Sequence, residues 1–159
     1  MIPTTMKPLW LALALALAVA PIAVMADDNP STAAAPGLTS AQRQAIQKTM
    51  EARLTRSRYL FGDRPLETDW RFFVTLLRFD AVYNGHFKCN LRRIADYPNL
   101  FGYLRDLYQI DGVAQTVNFD HIKRHYYYTH DDINPTRIVP IGPLQDLEAP
   151  HGREKAGVG

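Results

Sequence analysis

The stretch from Asp69 to Val82, DWRFFVTLLRFDAV, constrains this chain more than any other. At the helical repeat, Trp70, Phe73, Val74, Leu77 and Ala81 line one face, and Phe72, Leu76 and Phe79 line another. A helix that is apolar nearly all round is buried on nearly all sides. The stretch therefore predicts the central helix of an all-α domain, and no run alternates long enough to suggest a sheet. Its polar residues (Arg71, Thr75, Arg78 and Asp80) then need partners, because a buried charge is costly unless paired. Asp80 is expected to pair with Arg78 or with one of the cations that follow it.

The neighbouring segments supply candidate packing partners. A helix is predicted from near Thr39, where Thr39-x-x-Gln42 fits a capping box, to near Tyr59, before Gly62-Asp63. Its apolar stripe of Ile46, Met50 and Leu54 is narrow, so it should lie on a surface. A short helix is expected from Phe87 to Ile94, stopped by Tyr97-Pro98. Pro98 suits the first turn of the next helix, which carries Leu100, Phe101, Leu104, Leu107 and Tyr108. Asp111 should cap a short segment with Val113 and Val117. Asn118 or Asp120 should open a last helix bearing His121, His125, Tyr126 and Tyr127. From Asp131 onward, Pro135, Pro140, Pro143 and Pro150 predict an extended tail packed on the helices.

The N-terminus has a different character. Residues 1–26 have the pattern of a secretory signal peptide: Lys7, an apolar run from Leu9 to Val24, and Val24-Met25-Ala26 ahead of two aspartates. The run, about 16 residues and broken by Pro21, is shorter than the roughly 20 that a membrane-spanning helix needs. Export, to a periplasmic location, is the expectation. Residues 27–38 read as a linker, 39–153 as the helical domain, and 154–159 as a disordered tail. The formal charge is +2, and without Lys7 the balance is 17 cations to 16 anions. A near-neutral body offers no electrostatic case for nucleic acid as a partner. One cysteine excludes an internal disulfide and any multi-cysteine metal site.

Chemistry concentrates in RFDAVYNGHFKCNLRRIADY (Arg78 to Tyr97) and NFDHIKRHYYYTHDDINP (Asn118 to Pro135). His121 and His125 share a helix face at a spacing that zinc sites use. No glutamate lies between them and nothing completes the set with His130, so hydrogen-bonded packing is the better reading and no metal is expected. Lys88, Arg92, Arg93, Lys123 and Arg124 are interleaved with aspartates, a pattern that internal ion pairs explain better than a nucleic-acid groove. Cys89 has cations nearby that could favour a thiolate, but lone cysteines are most often inert and buried. Tyr83, Tyr126, Tyr127 and Tyr128 could donate to a thiolate or polarise a quinone oxygen, and they could equally be core and rim packing.

RYLFGDRPLETDWRFFVTLLRFDAVYNGHFKCNLRRIADYPNLFGYLRDLYQIDGVAQTVNFDHIKRHYY, followed by INPTRIVPIGPLQDLEAPHGR, resembles the C-terminal part of the glutathionyl-hydroquinone reductases, the Xi class of glutathione transferases. The resemblance runs from about Leu54 to Arg153. RFDAVY-x-GHFKCNLRRI, NFDHIK-x-HYY and INPT-x-I-x-P-x-GP carry it. It implies an all-α C-terminal domain that follows a thioredoxin-like domain in a cytoplasmic homodimer. The implied reaction reduces glutathionyl-hydroquinones with glutathione as co-substrate, through a mixed disulfide on a catalytic cysteine. Tyr83 and Tyr126 match the tyrosines whose hydroxyls stabilise that cysteine's thiolate.

The departures from that pattern are equally specific. The nucleophile's Cys-Pro-Trp motif does not occur in these 159 residues, nor does the Asn-Asn-Gly-Val-Tyr segment that carries a further tyrosine. Cys89 matches a cysteine that is not the nucleophile. Leu66 stands where a helix-capping threonine is common, and Tyr128-Thr129 and Arg137 replace commoner residues. The expectation is a partial, truncated transferase-type helical domain, inactive alone, with apolar faces that recruit a partner chain. The alternatives are an exported module that binds an aromatic quinone or hydroquinone, or half of an enzyme completed by a second chain carrying the thioredoxin-like domain.

Overall fold

The computed structural model describes residues 40–156. The expected signal peptide, the linker, Thr39 and residues 157–159 lie outside the described residues, as do the side chains of Gln42 and Ile46. The described residues form four α-helices: α1 (Ser40–Arg56), α2 (Glu67–Arg78), α3 (Pro98–Tyr108) and α4 (Phe119–Thr129). A π-helical turn, Phe79–Tyr83, continues α2, and 3-10 turns occupy Ile94–Asp96 and Ala114–Thr116. Among the described residues there is no strand, only one bridge between Tyr59 and Gly62. The all-α expectation holds.

Met50 and Leu54 of α1 are buried against the core, as their spacing predicts. α1 ends at Arg56, earlier than expected, and a residue far along the chain holds the carbonyls at and just beyond its end. Arg153, itself buried, donates from Nη2 to the carbonyls of Leu54 (2.9 Å), Ser57 (2.6 Å) and Arg58 (2.9 Å). A guanidinium presents a fixed fork of donors, so one side chain binds several carbonyls at the end of the helix. Burial pulls the Arg153 pKa down from its ordinary value, although Asp106 and Glu51 oppose that pull.

Glu51 links α1 to α3. Its carboxylate accepts from the backbone N–H groups of Asn99 and Leu100, each at 2.8 Å, and so caps the start of α3 where Pro98 has no N–H to offer. Leu66 precedes α2 with no side-chain acceptor. Asp69 compensates from inside the helix by accepting the Leu66 N–H at 2.8 Å. The same carboxylate accepts the Leu60 N–H at 2.9 Å and the Tyr103 hydroxyl at 2.8 Å, with no exposure to solvent. One aspartate therefore joins the α1–α2 connection, the first turn of α2 and the middle of α3.

α2 departs from the expectation of burial on nearly all sides. Phe72, Phe73, Leu76 and Leu77 are buried, but Val74 is 45% exposed and Trp70 is only half-buried. Arg71 pairs with Glu67 on the open side at 2.6 Å, and Arg78 donates to the Val74 carbonyl at 2.8 Å. Apolar periodicity cannot tell a face that meets another helix from one that the described residues leave open.

Asp80 also differs from expectation. It is buried, and its carboxylate accepts from the backbone N–H groups of Ile94 (2.7 Å) and Ala95 (3.0 Å) and from the Gln145 side chain (3.2 Å). Among the described residues no cation is bonded to it. Burial raises its pKa, and the two backbone bonds work against that rise. The amides of a 3-10 turn replace the guanidinium that the sequence suggested.

The predicted helix from Phe87 to Ile94 does not form. Lys88 adopts φ +59, a left-handed conformation that breaks helical propagation, and Asp80 fixes the backbone at Ile94 into a separate turn. The turn Ala114–Thr116 is preceded by Val113, so Asp111 does not cap it. Pro98 at the first turn of α3 and Asn118 as the N-cap of α4 both agree with expectation, Asn118 Oδ1 accepting the His121 N–H at 3.0 Å.

The Pro-containing tail packs on the helices, as predicted. Buried Lys123 of α4 donates to the carbonyls of Pro140, Ile141 and Gly142, and burial lowers its pKa. Gln109 holds the Leu147 and Ala149 carbonyls at 2.7 and 2.8 Å. The His151 carbonyl comes so close to α3 that a Cβ on Gly102 would lie 2.7 Å from it.

Replacing Asp69 tests this arrangement. Asp69→Ala strands three donors and is expected to cost about 3 kcal/mol or more, at roughly 1–3 kcal/mol per buried orphan. Tyr103→Phe removes one donor and leaves the carboxylate its two backbone bonds, so about 1 kcal/mol is expected. Chemical denaturation followed by circular dichroism separates the two values.

Candidate functional site

The π-helical turn sets the site. Asn84 N–H bonds the Phe79 carbonyl at 2.8 Å, His86 N–H bonds Val82 at 2.8 Å, and Cys89 N–H bonds Tyr83 at 3.0 Å. These three bonds wind residues 79–89 into a knot beside α4. π-helical turns insert one extra residue and recur at functional sites. Gly85 lets the knot close, since a Cβ there would sit 2.8 Å from the Tyr127 hydroxyl.

The knot and α4 bring the two proposed site tyrosines together. Tyr83 Oη and Tyr126 Oη lie 3.4 Å apart, with the rings edge-to-face at 83° and 5.8 Å. Tyr83 is buried and Tyr126 half-buried, so the pair runs from the core to the rim. Burial, reinforced by the Tyr126 hydroxyl, drives the Tyr83 pKa far above its ordinary value. Tyr83 therefore stays protonated, a donor rather than a phenolate. Two such hydroxyls can converge on one developing anion, a thiolate or a quinol oxygen, and donation to the anion favours the charged form.

Around the pair lies an aromatic and imidazole cluster. Phe87 packs on Tyr83 at 5.7 Å and on Tyr126 at 5.8 Å. His86, 3% exposed, has its Nε2 3.3 Å from His130 Nδ1 and its ring 4.8 Å from those of Phe87 and Tyr127. Burial lowers the His86 pKa, aided by His130 and Lys88. The sequence singled out His130 but not His86, whose partner is 44 residues away. Its signal was a place in the dense stretch Arg78 to Tyr97, directly after Gly85.

The other candidates separate. His121 and His125 share the exposed side of α4 with Arg124, Tyr128 and Thr129, which together line an open cavity of about 420 Å³. No group of three or more potential metal ligands forms among the described residues. The basic residues do not make a patch. Lys123 is buried under the tail, Arg124 pairs with Asp120, Arg93 pairs with Asp96, and Arg92 caps the Asp96 carbonyl over the Tyr97 ring. Cys89 is half-buried with Sγ 3.9 Å from the Phe87 carbonyl. Tyr127 packs in the core, and Tyr128 lies exposed beside Arg137.

The described residues have the fold of part of a glutathione transferase C-terminal domain. The family model for the glutathione S-transferase C-terminal domain matches residues 33–106.

The chain is 56% identical over 105 residues to the glutathionyl-hydroquinone reductase YqjG of Escherichia coli K12, covering 66% of this chain and 32% of that one. It is 56% identical over 98 residues to the glutathionyl-hydroquinone reductase PcpF of Sphingobium chlorophenolicum, covering 62% of this chain and 31% of that one. Among solved structures it is similar to glutathione-bound YqjG, with a TM-score of 0.69 and 53% identity over 71% of this chain and 37% of that one. The Xi-class transferase of Natrialba magadii gives a TM-score of 0.70 and 50% identity, covering 72% of this chain and 35% of that one. The chain thus spans about a third of the length of the curated relatives it matches.

The buried His86 makes stability depend on pH. Its pKa is lower folded than unfolded, so below the unfolded value of about 6.5 the unfolded chain binds the extra proton. Stability is therefore expected to fall as pH drops from about 6.5 towards 5. Guanidinium midpoints for the native protein should show this slope, and His86→Gln should flatten it.

Proposed function

We propose that this helical domain forms the tyrosine-bearing wall of a glutathionyl-hydroquinone reductase site. In this reading Tyr83 and Tyr126 donate to a cysteine thiolate that a thioredoxin-like domain supplies, together with the glutathione site. An aromatic hydroquinone lies against the rim at Tyr126. The 3.4 Å hydroxyl pair carries the reading, because two phenol hydroxyls beside each other suit one shared anion. The identity to YqjG and PcpF supports the choice of that anion and substrate. Glutathione, as bound in the YqjG structure, is the co-substrate in this reading. The chain alone is then inactive, and Cys89 takes no part.

Partnership belongs to the same proposal, as a homodimer or as pairing with a thioredoxin-like half. Exposed Val74, Leu91, Ile138, Ile141 and Leu144 support a partner surface. Export by residues 1–26 is proposed on Lys7 and the apolar run that follows it. Fused ahead of a periplasmic reporter, this segment is expected to deliver active, shortened reporter, and a cytoplasmic, full-length product would contradict it.

A chimera tests the catalytic reading. The part of the E. coli reductase that this chain does not match is joined to residues 54–153 and assayed with glutathione and a menadiol–glutathione conjugate. Turnover is expected, and Tyr83→Phe or Tyr126→Phe should each slow it about tenfold at pH 7, as for a loss of roughly one pKa unit of thiolate stabilisation. A folded chimera that turns over equally fast without either hydroxyl would refute the assignment.

A further inference from the structure

The Tyr83 and Tyr126 hydroxyls stand 3.4 Å apart, on residues 43 positions apart in the chain. An O–H···O bond that fixes its partners is about 2.7–2.8 Å long, so this contact is too long to hold the two rings in place by itself. Packing has to hold them, and Phe87 packs on both. Its ring centroid lies 5.7 Å from that of Tyr83, tilted at 36°, and 5.8 Å from that of Tyr126, at 87°. The tyrosine rings are themselves 5.8 Å apart, so the three centroids form a nearly equilateral triangle.

Phe87 is itself well braced. His86 N–H donates to the Val82 carbonyl at 2.8 Å and Cys89 N–H to the Tyr83 carbonyl at 3.0 Å. The chain before and after Phe87 is thereby tied to the turn that carries Tyr83. The ring also meets His130, the C-cap of α4, at 6.1 Å, and α4 carries Tyr126. Other ring neighbours stay within one element: Phe79 packs on Tyr83 from the same turn, and His125 on Tyr126 from the same helix. Phe87 has no polar side-chain atom, so what it gives the pair is shape alone.

We infer that Phe87 is a positioning residue, a wedge between the knot and α4 that sets the approach of the two hydroxyls and so lets both reach one anion. A ring at this place meets Tyr126 edge-to-face and Tyr83 at a tilt, arrangements that aromatic pairs prefer over a face-to-face stack. A flexible aliphatic side chain fills part of the same space but leaves the angle between the phenols free. The consequence for thiolate stabilisation rests on the reductase reading, whereas the wedge itself does not.

NMR on the full chain, with labelled aromatic rings, tests the wedge. In the native protein the Phe87 ring is expected to show cross-peaks to both tyrosine rings. The Tyr83–Tyr126 ring cross-peak should be lost in Phe87→Leu and Phe87→Met, which keep apolar bulk without a ring, and survive in Phe87→Tyr. Absence of either native Phe87 cross-peak overturns the wedge whether or not a variant folds, as does an undiminished tyrosine cross-peak in a folded Leu or Met variant. In the chimera, the thiolate of the catalytic cysteine is titrated by its alkylation rate against pH. Phe87→Leu should raise the midpoint, as Tyr126→Phe does, and lower kcat at pH 7 by up to about tenfold per pKa unit with KM unchanged. Phe87→Tyr should restore both. A merely structural role lowers the denaturation midpoint and leaves the alkylation midpoint in place, and that result overturns the positioning role. If neither tyrosine variant moves the alkylation midpoint, the reductase reading falls and the cross-peaks alone decide the wedge.

Discussion

The structure depends on a carboxylate with no contact to water. Asp69 accepts three hydrogen bonds, from Leu66, Leu60 and Tyr103, and those donors belong to the start of α2, the α1–α2 connection and α3. A buried carboxylate is tolerable only when its lone pairs are filled, and here every donor is a group that would itself be orphaned without it. The consequence is geometric. α2 cannot shift along its axis without breaking a bond to α3, so the π-helical turn at its far end is held at a fixed height. Asp80 repeats the device at that end, gripping the amides of Ile94 and Ala95.

Just beyond the second of those carboxylates the chain positions Tyr83. An ordinary α-helical continuation would rotate each following side chain by a fixed angle. The extra residue of the π turn changes that angle, and Phe87 packs back on the tyrosine just before the left-handed Lys88. α4 brings Tyr126 from the opposite side. Close packing at Gly85 means that the two elements approach nearer than any residue with a Cβ would permit. The hydroxyl pair is thus built by two elements, each braced independently.

The tail is structural although it contains no helix. Lys123, Gln109 and Arg153 together satisfy carbonyls at residues 140–149 and at the end of α1. Long cationic and amide side chains do what a sheet or helix ladder would otherwise do, because an extended segment rich in proline cannot make its own backbone bonds. Arg153 lies 99 residues from Leu54, so the first helix is completed only when the last described segment is in place.

Local patterning was legible in the sequence. The apolar run after Asp69, Pro98 at a first turn, Asn118 as a cap and the proline spacing of the tail each act over a few residues, and each led to the observed element. Tyr83 and Tyr126 were legible as candidates through the motifs around them, but their 3.4 Å approach was not. Periodicity did not show that Val74 would face outward, because an apolar side chain reads the same on either side of a helix. Nor could it show that Asp80 would choose backbone amides over guanidinium groups, that residues 87–94 would turn rather than coil, or that His86 would meet His130. Each of those outcomes is a competition between partners distant in the chain. Tertiary packing settled it by deciding which donors lay within hydrogen-bond reach and which charges could be kept from water.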